Sequence, residues 1–314
     1  MIGPFVHRID PVIADVGGVY LWWYGLSYTL GFLELHLWFR WQRGRLGLAL
    51  RDVYEFSIVL PLCVLAGGRA VEVIFYEWPF YSAHPALIPA LWIGGMSTHG
   101  LLLGAAAGTW IFCRMKHIDF LSMADELVIP GAFLMGVGRI GNFIDGQIVG
   151  AVTTMPWGVQ FPDASGFRHP VVLYDGLKNL LLIPLLIAIR RRHPPSGVVL
   201  AHFLFWYAFL RIPIDVFREY PTRLWGFATG QSLNLIMAAI GLVLIWWFGR
   251  SGYPRVQLRG TYERPFSLGT RIIAFIAILI FCLLIPSDWT QDVPARYGKR
   301  HPGLKYSVLY PRIR

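Results

Sequence analysis

The stretch LSMADELVIPGAFLMGVGRIGNFI, residues 121–144, decides what kind of protein this sequence encodes. A helix needs about 20 predominantly apolar residues to cross the hydrocarbon core of a bilayer, and this run is long enough. The run also contains Arg139, and an ionisable side chain inside an apolar span is a functional candidate because burying it in lipid is costly. The stretch therefore predicts a membrane-spanning helix that takes part in function.

Seven further apolar runs extend this prediction to the whole chain. They are residues 19–39, 53–75, 86–113, 171–189, 198–213, 232–248 and 272–286. Apolar side chains make up 55% of the 314 residues and charged ones only 15%, against roughly 25% charged in a soluble domain. These proportions exclude a disordered chain, a coiled coil, a nucleic-acid-binding tail protein and an ordinary cytosolic enzyme. We expect an all-α polytopic membrane protein in which glycine clusters break the runs 86–113 and 121–144.

Basic residues set the expected orientation, because Lys and Arg accumulate in cytoplasmic loops. Arginines cluster in loops 40–51, 190–197 and 249–271, whereas loop 76–85 has no Lys or Arg and loop 145–170 has only Arg168. The N-terminus and loop 145–170 are therefore expected outside the cytoplasm. This loop pattern also accounts for the net charge of +10 without nucleic acid as a partner.

The basic C-terminal tail, residues 287–314, conflicts with that arrangement. If 272–286 crosses the membrane, the tail lies outside, against the charge rule. If 272–286 lies in the interface instead, the tail stays in the cytoplasm. We favour a full eighth span.

Two side chains inside glycine-rich runs are candidates for chemistry. His99 lies in GGMSTHGLLLG, residues 94–104, and is expected deep in its span, either as a functional group or as a satisfied core histidine. Arg139 lies among glycines that spell GxGxxG, but no strand precedes them, so a dinucleotide site is a poor interpretation. A better one is an arginine on a glycine-lined wall, one turn from Asn142. The planar donor fork of arginine suits a phosphate.

A second charged group lies at the end of the apolar run 198–213 and just after it. Arg211, Asp215 and Arg218 have i, i+4, i+7 spacing, so they are expected on one helix face despite Pro213. Asp215 can then orient one arginine and leave the other for an anionic ligand. The alternative is a purely structural network.

Together with shorter motifs, these residues resemble the bacterial prolipoprotein diacylglyceryl transferase family. The strongest match is GRIGNFIDGQ, residues 138–147, which is similar to the family's G-R-x-G-N-F-x-N-x-E. Supporting matches follow in the family's order: WYGL at 23–26, GGMSTHG at 94–100, PWGVQFP at 156–162, HP at 169–170 with LYD at 173–175, Arg211 with Asp215 and Arg218, and GQ at 230–231. The resemblance covers about residues 15–250.

The resemblance implies a reaction and a location. The diacylglyceryl group of phosphatidylglycerol passes to the thiol of a prolipoprotein's lipobox cysteine, a thioether forms and glycerol phosphate leaves. The protein is then a multi-pass protein of the bacterial cytoplasmic (inner) membrane whose partners are membrane lipid and a prolipoprotein signal peptide. The reaction needs no metal or organic cofactor.

The family's site residues carry over to positions that match its motifs. A thiol with a pKa near 8.5 needs a base or a positive field to react, and His99 is the candidate base. Arg139 and Arg211 are expected to stabilise the leaving phosphate, and Tyr24 to contact the lipid head group or tune the thiol. The expected substrate-binding residues are Asn142, Asp145, Gln147, His169, Tyr174, Asp175, Asp215, Arg218 and Gln231.

Departures from the family pattern keep other interpretations open. The family's Asn and Glu in the main motif are Asp145 and Gln147 here, and two further family Glu residues are Asp175 and Asp215. A non-catalytic member that binds lipid or signal peptide is one alternative. A transporter of an anionic solute is another, although we find no internal repeat.

The resemblance also predicts where the transferase part of the chain ends. The family usually has seven spans, so we expect a transmembrane transferase domain over 1–250, with a small extracytoplasmic loop region. Residues 251–314 are then an extension with the eighth span and the basic tail.

Overall fold

The long apolar runs fold as α-helices, as the sequence predicts. The structure is a computed structural model that describes residues 5–218, 223–224, 227–251, 267–287 and 291–313. The α-helices in these ranges are α1 (Trp23–Leu46), α2 (Leu50–Val71), α3 (Trp78–Ala83), α4 (Thr98–Lys116), α5 (Phe120–Ile144), α6 (Val171–Arg191), α7 (Val198–Asp215), α8 (Thr229–Ser251), α9 (Leu268–Cys282) and α10 (Val293–Tyr297). Most of the arginine-rich loop 249–271 lies outside the described residues, so the orientation stays a prediction.

Short strands and irregular helical turns join the helices. The strands are β1 (Phe5–Val6), β2 (Val12–Val16), β3 (Val19–Trp22), β4 (Val159–Gln160), β5 (Arg223–Leu224) and β6 (Phe227–Ala228). β2 and β3 form an antiparallel hairpin immediately before α1, β1 pairs with β4 in parallel, and β5 pairs with β6 antiparallel. A π-helical turn, Glu72–Tyr76, continues α2.

Local signals in the sequence explain several helix ends. Gly47 closes α1 with a positive φ of 65°, a backbone conformation that glycine adopts without strain. Ser97 precedes α4, and its hydroxyl accepts a hydrogen bond from the amide of Gly100. Ser267 begins α9 in the same way by accepting from the amide of Thr270. Each serine thus satisfies a donor that the first helical turn leaves unpaired.

The helices have the lengths and apolar composition of a polytopic membrane protein. In the described ranges, five segments are long and apolar enough to cross a membrane: Leu50–Tyr76, Phe120–Ile144, Val171–Arg191, Val198–Asp215 and Gln231–Arg250. The helices α1 and α4 add lengths of 24 and 19 residues, whereas α9 has only 15. A mostly helical fold consistent with a polytopic membrane protein is confirmed, and the count of seven spans plus an eighth stays a prediction.

Of the two helix breaks that we expected at glycine clusters, one is present and the other is absent. In the run 86–113, Gly94 and Gly95 have φ values of 85° and 87°, so the long helix begins only at Thr98. In contrast, α5 is one unbroken helix, and the predicted break there is wrong. The reason is packing: a Cβ added to Gly136 would lie 2.6 Å from the Leu180 side chain, so this glycine allows α6 to approach α5 closely.

The chain divides into two units. Unit 1 contains Met1–Arg8 and Leu121–Val256, and unit 2 contains Ile9–Phe120 and Gln257–Arg314. The described C-terminal residues therefore pack with residues 9–120. The division into a transferase domain, 1–250, and an extension, 251–314, stays a prediction.

Within unit 2, α2 and α4 contact each other through their backbones. A Cβ added to Gly100 would lie 2.2 Å from the carbonyl oxygen of Gly67. One added to Gly104 would lie 2.2 Å from the carbonyl oxygen of Cys63. Small residues at such a crossing let two apolar helices gain close packing, which drives helix association in lipid.

Candidate active site

Arg139 lies near the end of α5, where a glycine allows the neighbouring helix to approach closely. A Cβ added to Gly176 of α6 would lie 3.1 Å from the Cβ of Arg139, so the two helices meet closely at this level. One turn further along α5, Oδ1 of Asn142 accepts a hydrogen bond from Nη1 of Arg139 at 3.3 Å. The predicted contact of Arg139 with Asn142 is confirmed.

Asp175 of α6 lies at the centre of the charged residues in unit 1. Its Oδ2 is 2.7 Å from Nε of Arg139 and also forms an ion pair with Nη1 of Arg211 on α7. Its side chain is only 1% exposed. One buried carboxylate thus connects two arginines from different helices, which is the arrangement of a strong, charge-assisted hydrogen-bond network.

Asp215 gives Arg211 a second carboxylate partner at the end of α7. Nε of Arg211 donates to Oδ1 of Asp215 at 2.8 Å, as the i, i+4 spacing predicts. The other oxygen of Asp215 accepts from Nδ2 of Asn234 on α8 at 2.8 Å. Arg211 is therefore fixed by contacts with residues of its own helix and of α6, and Asp215 is fixed by a residue of α8.

Lys178 completes this group, and the sequence analysis missed it. Its Nζ lies 2.9 Å from Oδ1 of Asp175 and 3.6 Å from the centre of the Tyr207 ring. A lysine in an apolar run three residues after Asp175 is the sequence signal that could have revealed it, because such residues share a helix face.

We call Arg139, Asp175, Lys178, Arg211 and Asp215 the arginine cluster. Three cations and two carboxylates leave a formal charge of +1 within this set. An excess of positive charge in such a cluster favours the binding of an anion, and guanidinium groups match the geometry of phosphate oxygens.

A tight turn after α5 brings the rest of the main motif together. Asp145 is fully buried and Gln147 is 6% exposed. The amide of Gln147 donates to the carbonyl of Asn142, and Gly146 between them has a φ of 68°. A Cβ added to Gly150 would lie 2.5 Å from the carbonyl oxygen of His169, so the backbone passes closely here.

Arg218 does not lie where the helical spacing placed it. The helix α7 ends at Asp215, and Arg218 instead forms an isolated β-bridge with Gly150. The expectation that Arg211, Asp215 and Arg218 share one helix face is therefore wrong for Arg218. The helix stops before the seventh residue of the pattern is reached, shortly after Pro213, whose ring disturbs helical hydrogen bonding.

His169 and Tyr174 form a separate aromatic group in unit 1. The Tyr174 hydroxyl lies 3.1 Å from Nδ1 of His169 and accepts a hydrogen bond from the Trp157 indole at 2.8 Å. The Phe217 ring lies 4.8 Å from the His169 ring. Three of the sequence blocks used above, PWGVQFP, HP and LYD, thus meet in one place.

The other predicted site residues occupy separate positions. His99 lies in the first turn of α4 and is exposed, so it is at a helix end and not deep in a span, and its Nδ1 is 3.4 Å from the Tyr76 hydroxyl. Tyr24 is the second residue of α1, and its hydroxyl lies 3.3 Å from that of Tyr28. Gln231 lies in the first turn of α8 and is half-buried.

Known proteins match most of this chain. A family model described as prolipoprotein diacylglyceryl transferase matches residues 11–247. A phosphatidylglycerol--prolipoprotein diacylglyceryl transferase from Geobacter sulfurreducens is 39% identical over 248 residues, which cover 76% of this chain and 95% of the relative. A protein of the same name from Desulfotalea psychrophila is 38% identical over 254 residues, covering 76% and 93%. One from Bordetella avium is 37% identical over 247 residues, covering 76% and 94%.

Proposed function

Because the chain belongs to the prolipoprotein diacylglyceryl transferase family, we propose that it moves the diacylglyceryl group of phosphatidylglycerol to the lipobox cysteine of a prolipoprotein. It is a transferase of lipoprotein biosynthesis and a multi-pass membrane protein. The transferred group forms a thioether with the cysteine, and glycerol phosphate leaves. We place the protein in the bacterial inner membrane with its N-terminus outside the cytoplasm, with seven spans and an eighth at 272–286.

The observation that carries the proposal is the convergence of Arg139 and Arg211 on Asp175. A phosphodiester carries one negative charge, and the leaving glycerol phosphate gains a second as its ester bond breaks. A cluster with a formal charge of +1 stabilises the later state more than the earlier one, which is what lowers a reaction barrier. Each guanidinium has five N–H donors, so contact with a carboxylate leaves donors for phosphate oxygens.

The incoming thiol needs to lose its proton, and His99 is the proposed base. In the tautomer whose Nδ1–H donates to the Tyr76 hydroxyl, Nε2 keeps its lone pair for the thiol proton. The sulfur then attacks the glycerol carbon that bears the phosphate ester, the carbon–oxygen bond breaks and its electron pair stays with the phosphate. Exposure of His99 supports this role, because a substrate thiol can reach its ring.

The remaining substrate contacts are proposed from the motifs that match the family. We propose that Tyr24 hydrogen-bonds the lipid head group or tunes the thiol. For the substrate-binding set, the support is burial of Asn142, Asp145 and Gln147 beside the end of α5, and the aromatic group around Tyr174. Family membership favours this reaction over transport of an anionic solute.

Two conservative substitutions test the shared phosphate role. Arg139→Lys and Arg211→Lys keep the charge and lose the planar fork, so each is expected to lower turnover by about 100-fold. If both arginines act on one phosphate, the double variant loses less than the product of the two single losses. Turnover is measured with a lipobox peptide and the purified protein in phosphatidylglycerol nanodiscs.

Arg190→Lys is the matched control. Arg190 is a buried arginine of the same unit, and its Nε lies 2.7 Å from an oxygen of Glu126. The control is expected to keep turnover within about twofold, after correction for the folded fraction. Strictly multiplicative losses in the double variant would contradict a shared phosphate. If the wild-type protein binds phosphatidylglycerol saturably but transfers no diacylglyceryl group to the peptide, it is a non-catalytic member of the family.

A further inference from the structure

The helix α9 lies C-terminal to the family match and packs along α1. At one end, the carbonyl of Leu283 accepts a hydrogen bond from the amide of Trp22 at 2.9 Å. Further along, the Thr29 hydroxyl donates to the carbonyl of Leu279 at 2.8 Å. The order of these contacts shows that α9 runs antiparallel to α1 and ends at the level where α1 begins.

The chain beyond α9 folds back onto the β2–β3 hairpin. Tyr20 of β3 is the centre of this contact: its hydroxyl donates to the carbonyl of Gly303 at 3.1 Å and accepts from the amide of Lys305 at 3.0 Å. The Tyr20 amide donates to the Tyr310 hydroxyl. Burial raises the pKa of the Tyr310 phenol above its ordinary value, so this hydroxyl stays neutral at physiological pH.

The same C-terminal residues also pack against the segment that precedes α4. A buried apolar core joins the hairpin, this segment and the tail; its members are Val12, Tyr20, Trp22, Ala90, Ile93, Val293, Tyr297, Leu304 and Tyr310. In addition, the indole of Trp92 donates to the carbonyl of Leu309 at 2.9 Å. The segment 85–95 is therefore covered on one side by the tail, residues 291–313.

Arg69 of α2 holds the same segment. Its guanidinium donates to the main-chain carbonyls of the segment; these belong to Leu87, Ile88, Ala90, Gly94 and Gly95. Met96 and Ser97 follow the segment, and Ser97 caps α4 two residues before His99. Two independent sets of contacts thus fix the backbone that leads into the first turn of α4.

We propose that the C-terminal tail, residues 291–313, is a positioning element that, with Arg69, fixes segment 85–95 and so orients the first turn of α4 that carries His99. The catalytic consequence rests on the proposed role of His99 as the base. The fixing of the backbone does not rest on it and can be measured separately.

Two variants test the proposal: one lacks the tail, and the other lacks the hydrogen bond between Trp92 and Leu309. The first variant ends after residue 287 and keeps α9. The second, Trp92→Phe, keeps an aromatic ring and loses only the hydrogen bond to Leu309. The control is Val308→Ala, because Val308 is in the same tail and is 98% exposed. The full-length protein in nanodiscs is the reference for all three.

Hydrogen exchange read by peptide mass spectrometry reports directly on the segment. Residues 86–97 are expected to exchange at least tenfold faster without the tail and about fivefold faster in Trp92→Phe, the effect of one hydrogen bond on local opening. Turnover is expected to fall in the same order, while the KM for phosphatidylglycerol stays within twofold. Val308→Ala changes neither quantity.

Four results would overturn or separate the claims. Unchanged exchange over 86–97 in both variants overturns the proposal. If exchange in α5–α8 becomes faster by the same factor, the tail acts on general stability and the proposal is wrong. The proposal is also wrong if exchange over 86–97 becomes faster but turnover stays unchanged, provided that His99→Gln is inactive. If the truncated chain fails to fold, Trp92→Phe alone decides. If His99→Gln keeps full turnover, the role of His99 as the base fails while the exchange result still stands.

Discussion

Arg69 and the arginine cluster both lie in apolar helices, yet their partners differ in kind. Arg69 is 4% exposed and donates to main-chain carbonyls, with the Tyr81 ring 4.7 Å away. Arg139 and Arg211 instead contact the carboxylate of Asp175. A main-chain carbonyl is released only if the backbone moves, whereas a phosphate can share or replace a carboxylate within a rigid fold. The nature of the partner therefore separates an arginine that builds structure from one that is available for a ligand.

The largest expected effect concerns the structural arginine. Arg69→Met keeps the apolar stem and leaves the buried carbonyls of segment 85–95 without their donor, and each unsatisfied group costs about 1–3 kcal/mol. We expect a loss of roughly 3 kcal/mol or more in the free energy of unfolding, read as a lower thermal midpoint in detergent. Affinity for phosphatidylglycerol per folded molecule is expected to stay within twofold.

Arg211→Met is the reciprocal variant, because it is expected to weaken lipid binding with a smaller loss of thermal stability. An equal fall in lipid affinity in both variants would erase the distinction between the two kinds of arginine.

The next largest effect concerns the proposed base, His99. His99→Gln keeps much of the size and hydrogen bonding but removes the base, so we expect turnover to fall about 100-fold, within the range for loss of a general base. Lipid affinity is expected to stay unchanged, in contrast with the arginine variants. Near-normal turnover with a lipobox peptide would mean that His99 has a structural role, as Arg69 does.

A smaller effect is expected at Asp175. Asp175→Asn keeps the shape and removes the charge that holds Arg139 and Arg211 together, so turnover is expected to fall about 10- to 30-fold. Asp175→Glu introduces the residue that the family carries here and is expected to retain most activity. Glu126→Gln is the matched control, since Glu126 contacts Arg190 in another buried ion pair of the same unit. If Glu126→Gln and Asp175→Asn lower turnover equally, then breaking any buried ion pair of this unit lowers turnover.

Contacts within one helix were predictable from the sequence. The pairs Arg139–Asn142 and Arg211–Asp215 follow from spacings of three and four residues, because the period of the α-helix alone places such side chains together. The apolar runs likewise predicted the long helices and the polytopic class. The family resemblance points to the same residues.

Contacts between helices were not predictable from spacing. Asp175 connects α5, α6 and α7, and which faces meet depends on helix rotation and on close approach at Gly136 and Gly176. The unbroken course of α5 has the same origin, because Gly136 packs against α6 instead of ending the helix. His99 was expected deep because it lies in the middle of the apolar run 86–113, whereas two glycines with positive φ delay the helix to Thr98.

The smallest expected effect concerns Lys178, which separates charge balance from geometry inside the arginine cluster. Its ammonium contacts Oδ1 of Asp175, whereas Arg139 and Arg211 contact Oδ2. Lys178→Met keeps the length of the side chain and changes the formal charge of the cluster from +1 to 0. If Lys178 only neutralises Asp175, turnover falls about threefold and the KM for phosphatidylglycerol rises by a similar factor, because a distant charge acts weakly compared with a direct donor. Lys178→Arg restores the charge and is expected to recover the KM. A loss as large as that of Arg211→Lys would instead make Lys178 a direct phosphate ligand, and the two-arginine description of the site would then be wrong.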